Sequence, residues 1–367
     1  MASPSAARPQ AVFPQFDEAG ARLLFFLRGR GRGHVIPSLE IVRRLEQRRP
    51  DVQIRLVSYD RGAETLAEQG RMHIDLGLPE ANGVAETTVL AGKLIGWLEP
   101  DLVAAYEEFA ALPVAKIFDR PALFLTDWFV EPHKYSMQTL RFADEVLFLG
   151  ERGDPPPPWI DGNVRYLGPL LRTLSCSRHD RHRLRQELGL PPDARVVGVF
   201  PGSWTEDRVP LAQPLVEAFE ALPPPKRLIW LAGDDAEALR NRFGGRDDMT
   251  IFARDWQPER LMAAADVAVT KATRKTLIEL MALGIPAVSV THDGNPIDQR
   301  KAQQFARFIL PAAERDLAGR LKEAILQALA EPPPAPRPPQ TDAAEAAAER
   351  ISFYLPLSAG TGGRAES

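Results

Sequence analysis

The chain has 367 residues, 44% of them hydrophobic and 26% charged, with a net charge of −4. That length suits two domains with a core each, and the mild acidity excludes an extended nucleic-acid-binding surface as the main business of the protein. The single cysteine, Cys176, excludes an internal disulfide, and no apolar run is long enough for a stable transmembrane anchor, so a cytoplasmic protein without a nucleic-acid partner is expected.

Residues 1–20 are rich in Ala, Ser and Pro, show no basic-then-apolar signal pattern, and read as a disordered tail. From there strands alternate with helices, the pattern of a parallel sheet with crossover helices. In the first half, strands are expected over 23–27, 54–57, 74–76, 122–125 and 146–149, with amphipathic stretches over 38–49 and 98–111 between them. The pattern restarts beyond a proline cluster at 155–158, with strands over 196–200, 228–231, 250–252, 267–270 and 287–290. A denser proline run at 332–339 closes the second half, since such runs fit neither helix interior nor central strand. The expected fold class is α/β: two Rossmann-like, doubly wound domains over 21–168 and 169–331, facing across a cleft. Residues 332–367 form a proline-rich linker and terminal tail; its alanine-rich helix, over 343–354, either crosses back to the first domain or hangs as an appendage.

Between the first strand and helix runs Gly29-Arg30-Gly31-Arg32-Gly33-His34. Glycine permits close backbone approach, and amides here could receive a phosphate, a sugar or an acceptor group, which makes Gly31, Arg32 and Gly33 a candidate phosphate or acceptor loop. It is not a P-loop, because no Gly-Lys-Ser/Thr follows, and it lacks the third glycine of a dinucleotide fingerprint. A purely structural tight turn is the plain alternative to a ligand loop with His34 working as a base. His179 and His182 stand at HxxH spacing among arginines and read as surface; no cluster has metal spacing, so neither metal nor cofactor is expected.

A second strand–turn–helix follows more than 200 residues later, over 266–286. Lys271, Arg274 and Lys275, with Thr273 and Thr276 among them, gather charge and hydroxyl donors at a helix start that already favours an anion. Glu279 lies three residues beyond Thr276 on the same helical face. It could take two ribose hydroxyls beneath a bound diphosphate, or only form an i,i+4 pair with Lys275. Pro201-Gly202-Ser203-Trp204 and Arg254-Asp255-Trp256-Gln257 also follow strands, where ligands collect in such sheets. Trp256 could stack on a base or simply be packed.

Together these segments resemble the GT-B glycosyltransferases, most closely family 28, whose type member adds N-acetylglucosamine to a lipid-linked muramyl-pentapeptide. Gly31-Arg32-Gly33-His34-Val35-Ile36-Pro37 looks like the family's Gly-Gly-His-x-x-Pro loop, and Leu167-Gly168-Pro169-Leu170-Leu171-Arg172 is similar to its Gly-Asn-Pro-x-Arg segment. Pro201-Gly202-Ser203 stands where the family has Gly-Gly-Ser. Thr276, Glu279, Ala282-Leu283-Gly284-Ile285-Pro286-Ala287 and Asp298-Gln299 fall at family spacing. Lys271, Thr273, Arg274 and Lys275 replace the family's small-residue turn. The resemblance implies that Gly202, Ser203, Thr276, Glu279 and Gln299 hold a nucleotide sugar, with Glu279 on the ribose and Thr276 on the diphosphate. It also implies that His34 faces the reacting centre, with Asp127 as its orienting carboxylate or as the base. The activity implied is metal-independent, inverting transfer of a hexosyl unit from a UDP-linked donor to an acceptor hydroxyl. A lipid-linked acceptor would bring the protein to the inner face of the membrane as a peripheral enzyme. A nucleotide-sugar hydrolase or epimerase, or a non-catalytic nucleotide-binding member, are the alternatives on the same fold.

Overall fold

The computed structural model describes residues 15–17, 20–79, 84–129, 135–150, 156–201, 211–291 and 296–357. It divides into two compact units: Met1–Phe148 with Pro155–Arg165 and Glu345–Ser367, and Leu149–Asp154 with Tyr166–Ala344.

Among its described residues the first unit carries seven strands: β1 Arg22–Leu27, β2 Gln53–Ser58, β3 His73–Asp75, β4 Leu102–Tyr106, β5 Ala122–Thr126, β6 Glu145–Phe148 and β7 Val164–Tyr166. Its helices are α1 Val35–Arg48, α2 Asp60–Glu68, α3 Val84–Leu98, α4 Ala111–Ile117 and α5 Tyr135–Thr139. The strand order is β3-β2-β1-β4-β5-β6-β7, and every pair from β3 to β6 is parallel. β4 and β5 are buried at every residue, as expected of central strands covered on both faces.

One expected element is corrected here. Residues 98–111, read as an amphipathic stretch, hold instead strand β4, paired with β1 and β5. The alanines of Leu102-Val103-Ala104-Ala105-Tyr106 gave the segment a helical composition, but its uninterrupted apolar run belongs to a strand buried on both sides. The crossover helix before it is α3.

The second unit holds β8 Arg195–Phe200, β9 Lys226–Leu231, β10 Met249–Phe252, β11 Val267–Lys271, β12 Ala287–Thr291 and β13 Phe308–Pro311. Its helices are α6 Arg181–Glu187, α7 Ala212–Glu220, α8 Ala236–Phe243, α9 Pro258–Ala264, α10 Arg274–Leu283, α11 Pro296–Phe305 and α12 Leu317–Ala330. Strand order is β10-β9-β8-β11-β12-β13, all parallel. Alternate strand residues enter two cores. Val197, Val199, Trp230, Val267 and Val269 pack with Leu215 and Phe219 of α7 and Leu321 and Ile325 of α12. Val196, Ile229 and Ala268 pack with Leu184, Leu261, Leu277 and Leu280 on the other face.

The terminal helix α13, Ala343–Tyr354, lies largely in the first unit. Ala347, Ala348 and Ile351 are buried, Glu345 accepts from Arg48 at 2.6 Å, and Arg350 is ion-paired with Glu145. Among the described residues, no helix is long and apolar enough to cross a membrane.

Candidate active site

In an open parallel sheet, ligands gather outside the strand C-termini where strand order reverses. In the first unit that point lies between β1 and β4, and in the second between β8 and β11. Both candidate sites stand there.

The loop after β1 is tied to the tip of β4 by Arg28 N, which donates to the Tyr106 carbonyl at 3.1 Å. A Cβ on Gly29 would stand 2.2 Å from the Tyr59 carbonyl, and the Gly29 carbonyl accepts from Gly62 N at 3.1 Å. Gly31 takes a φ of +71°, a region glycine enters at no steric cost. The arginine–glycine segment is therefore a built turn. His34 precedes α1 directly, and Ser38 Oγ donates to its carbonyl at 2.7 Å. Gly33 is exposed, while Arg32 donates to Glu68 at 2.9 Å and lies 3.7 Å from Glu64, so its guanidinium is drawn to α2.

His34 Nε2 lies 2.8 Å from Glu107 Oε2, and the Glu107 side chain is only 1% exposed. Thr126 Oγ1 donates to the other carboxylate oxygen, Oε1, at 3.1 Å, and Arg28 Nη1 lies 3.9 Å from Oε2. An ionised carboxylate only accepts, so Nε2 carries the shared proton, and in the neutral ring Nδ1 is then the lone-pair nitrogen. Nδ1 is buried and has no hydrogen-bond partner among the described residues. Tyr106 packs edge-on against the ring at 5.6 Å between centroids and fixes its plane. Glu107 itself adopts φ of +54°, a conformation few non-glycine residues take, at the first position beyond β4. Its neighbour Glu108 accepts from the Tyr59 hydroxyl at 3.2 Å. Burial pushes the Glu108 carboxyl up, with Tyr59 and Arg28 pulling the other way.

The carboxylate on His34 is thus Glu107, in the orienting position the sequence reading offered to Asp127. Asp127 follows β5, one strand farther from the reversal, and keeps contacts of its own. The misread strand hid Glu107: once β4 is placed beside β1, the residue that ends it must stand next to the loop carrying His34.

In the second unit, Thr273 N donates to the Lys271 carbonyl at 2.6 Å, and the Thr273 carbonyl accepts from Leu277 N at 3.0 Å, which starts α10 directly beyond β11. Arg274 is buried, whereas Lys271, Thr273, Lys275 and Thr276 are half-buried. The strongest partner of Glu279 is Arg172, with Lys275 adding a weaker attraction. Glu279 Oε1 accepts from Arg172 Nε at 2.6 Å, while Arg172 Nη2 donates to Glu259 Oε2, also at 2.6 Å. Ser175 closes the array, donating to Glu259 Oε1 from its amide at 3.2 Å and from its hydroxyl at 2.6 Å. Arg172 therefore bridges two largely buried carboxylates, with side-chain exposures of 14%, 12% and 1% for Arg172, Glu279 and Glu259. Burial raises the Glu279 carboxyl against the pull of Arg172. Burial also works against Glu259, but the Ser175 hydroxyl and Arg172 bring it below its ordinary value. Glu259 was missed from sequence; it sits 87 residues from Arg172, and no local pattern marks it.

Trp256 is 42% exposed rather than packed, and Gln299 is exposed on α11. Gly202 and Ser203 lie outside the described residues.

No family model matches the sequence. A curated relative, the UDP-N-acetylglucosamine–N-acetylmuramyl-(pentapeptide) pyrophosphoryl-undecaprenol N-acetylglucosamine transferase of Exiguobacterium sp., is 25% identical over 333 residues, spanning 81% of this chain and 88% of its own. The glycosyltransferase of kitacinnamycin superposes with a TM-score of 0.62 at 17% identity, over 92% of this chain and all of its own. The chain has the GT-B glycosyltransferase fold. That fold is shared more widely: the UDP-GlcNAc 2-epimerase of Methanocaldococcus jannaschii superposes with a TM-score of 0.61 at 12% identity, over 90% of this chain and 99% of its own. Within the GT-B frame, the His34–Glu107 pair belongs to the N-terminal unit and the Arg172–Glu279 array to the C-terminal one.

Proposed function

We propose that this protein is an inverting hexosyltransferase that takes a sugar from a UDP-linked donor and delivers it to an acceptor hydroxyl. The observation that carries the reading is the His34–Glu107 pair, whose 2.8 Å contact leaves Nδ1 as a lone-pair nitrogen with no partner of its own among the described residues. A buried polar atom is normally satisfied, and an acceptor hydroxyl is the donor that Nδ1 lacks. In the proposed step Nδ1 takes the hydroxyl proton while the acceptor oxygen attacks the anomeric carbon and the bond to the nucleoside diphosphate breaks. Glu107 steadies the imidazolium as it forms, as a buried carboxylate does for a catalytic histidine.

The donor role falls to the second unit. Lys271, Lys275 and the amides that open α10 suit the leaving diphosphate without a metal, and the Thr276 hydroxyl adds a donor. Glu279 keeps Oε2 for the ribose hydroxyls while Arg172 holds Oε1. Gly202, Ser203, Gln299 and Trp256 complete the proposed donor set, with Trp256 available to stack on the base. The Exiguobacterium relative, named for transfer to an N-acetylmuramyl-(pentapeptide) pyrophosphoryl-undecaprenol, supports a lipid-linked acceptor, and with it a cytoplasmic enzyme working at the membrane surface.

The test is release of UDP from UDP-N-acetylglucosamine, followed with and without lipid-linked saccharide acceptors and with chelator present. Acceptor-dependent, chelator-insensitive release with inversion at the anomeric carbon is expected. Equal release of free sugar from donor alone would make the protein a hydrolase, and conversion of the donor to its epimer would make it an epimerase.

A further inference from the structure

The second unit has a cationic cavity at the opposite edge of its sheet from the donor turn. Arg195 opens β8, Asp266 directly precedes β11 and Pro286 directly precedes β12, and all three line one cavity of about 320 Å³. The donor turn, Lys271 to Lys275, follows the C-terminal end of β11, so the two places cannot share one bound group.

Four arginines enter this wall: Arg178, Arg181, Arg185 and Arg195. Asp266 serves two of them. Arg181 is paired with its Oδ1, and Arg185 Nη2 donates to Oδ2 at 2.6 Å. Asp266 also accepts from Val196 N at 2.9 Å, and Arg185 donates to the carbonyls of Ala264 and Ala194 at 2.9 and 3.1 Å. Those bonds give Arg185 and Asp266 a structural task, the binding of α6 to the start of two strands. They do not explain the rest.

The Arg178 guanidinium, half-buried, donates to the Gly284 carbonyl and makes no ion pair among the described residues, though Asp266 attracts it from farther off. Arg181 Nε is buried without a hydrogen-bond partner among the described residues. The Arg195 side chain makes no ion pair there, although it stands at the mouth. Of the three carboxylates in the wall, Asp193, Asp266 and Glu331, the last is already paired with Arg307. Four guanidiniums thus face two available carboxylates, in a chain whose net charge is negative. Burial first, then the neighbouring Arg181 and Arg185, lower the Arg178 pKa against the pull of Asp266.

An anion removes that conflict. Guanidinium forks match the paired oxygens of a phosphoryl group in direction as well as charge, and a cavity at the small end of the ligand range suits a phosphate better than a sugar nucleotide. We propose that this cavity is a binding site for a phosphoryl anion, separate from the donor turn and independent of the transferase reading. The phosphoryl group could belong to a soluble phosphate or to a lipid headgroup, and the experiment separates the two.

The full chain is titrated with inorganic phosphate against chloride at matched ionic strength, and sedimented with phosphatidylglycerol or phosphatidylcholine vesicles. Arg178→Gln/Arg195→Gln is compared with wild type, and Lys275→Gln serves as the donor-turn control. Because Arg178 braces Gly284, Arg195→Gln alone provides a variant that breaks no side-chain hydrogen bond or ion pair among the described residues. Loss of phosphate affinity by about tenfold in the double variant, in part in Arg195→Gln, and not in Lys275→Gln, supports the site with a soluble ligand. Sedimentation with phosphatidylglycerol that fails in the arginine variants supports it with a lipid. If neither phosphate nor vesicle binding responds to the arginine variants, or phosphate binding depends on Lys275 instead, the proposal is overturned.

Discussion

Replacing Glu107 by Gln tests the proposed base most directly. The amide keeps the shape of a side chain that is 1% exposed and still offers an oxygen to His34 Nε2, so ring position and folding should be nearly unchanged. What disappears is the charge that meets the imidazolium as it forms at 2.8 Å. A hydrogen bond to a charged group contributes about 1.5–3 kcal/mol, and each 1.4 kcal/mol is tenfold in rate, so kcat should fall about 10- to 150-fold. Glu107 belongs to the first unit and the proposed donor residues to the second, so the donor KM and the calorimetric affinity for UDP should stay at wild-type values. The assay is initial-rate UDP release under saturating donor, paired with UDP titration of the same preparation. Glu108→Gln is the internal control, since Glu108 is engaged by Tyr59 and not by His34. A Glu107→Gln enzyme with wild-type kcat would refute the pairing as the catalytic device. So would a loss of rate matched by an equal loss of UDP affinity.

Three further outcomes are expected. Glu279→Ala should weaken UDP about 10- to 100-fold by calorimetry, the worth of hydrogen bonds from ribose hydroxyls to a carboxylate, with kcat at saturating donor little altered; unchanged UDP affinity would remove Glu279 from the donor site. Arg172→Met leaves Glu259 and Glu279 buried without their shared cation and should cost about 3–5 kcal/mol in chemical denaturation, far more than a surface ion pair. Glu108 gives a pH signature: its carboxyl is raised by burial, so the folded state holds a proton that the unfolded state gives up near 4.5. Stability should therefore fall as pH rises above about 4.5, and Glu108→Gln should flatten that slope in melting curves from pH 4 to 8. Identical slopes in the two proteins would show that Glu108 does not govern this range.

The strand–turn–helix units were legible because their signals are local. Glycines at 29, 31 and 33 follow a run of five apolar residues, and charge and threonine gather at the start of α10. The Arg172–Glu279 bridge was not legible, although both residues were marked, because nothing in sequence says that Arg172 reaches across 107 positions. Glu107 was lost for a different reason. Alanine favours helices, yet Ala104-Ala105 sit in a strand whose burial on both faces needs no large side chain.

Both sheets reverse their strand order beside a candidate turn, and this explains why the two sites differ in kind. In the first unit the reversal sets β1 beside β4, so the loop with His34 meets the end of a strand that begins 68 residues later, and a buried carboxylate can be delivered to an imidazole. In the second unit the reversal sets β8 beside β11, where the chain runs directly into α10 and supplies backbone amides and lysines instead. One edge therefore offers a proton acceptor on a fixed ring, and the other offers positive potential with a tethered carboxylate. Proton removal and departure of an anion are the two demands of inverting glycosyl transfer. In the proposed reaction each would be met by the side chains its own sheet topology brings together, so variants of His34 or Glu107 should separate from variants of Glu279 in a kcat-against-KM comparison. Variants of both sets that shift only KM would break that division of labour.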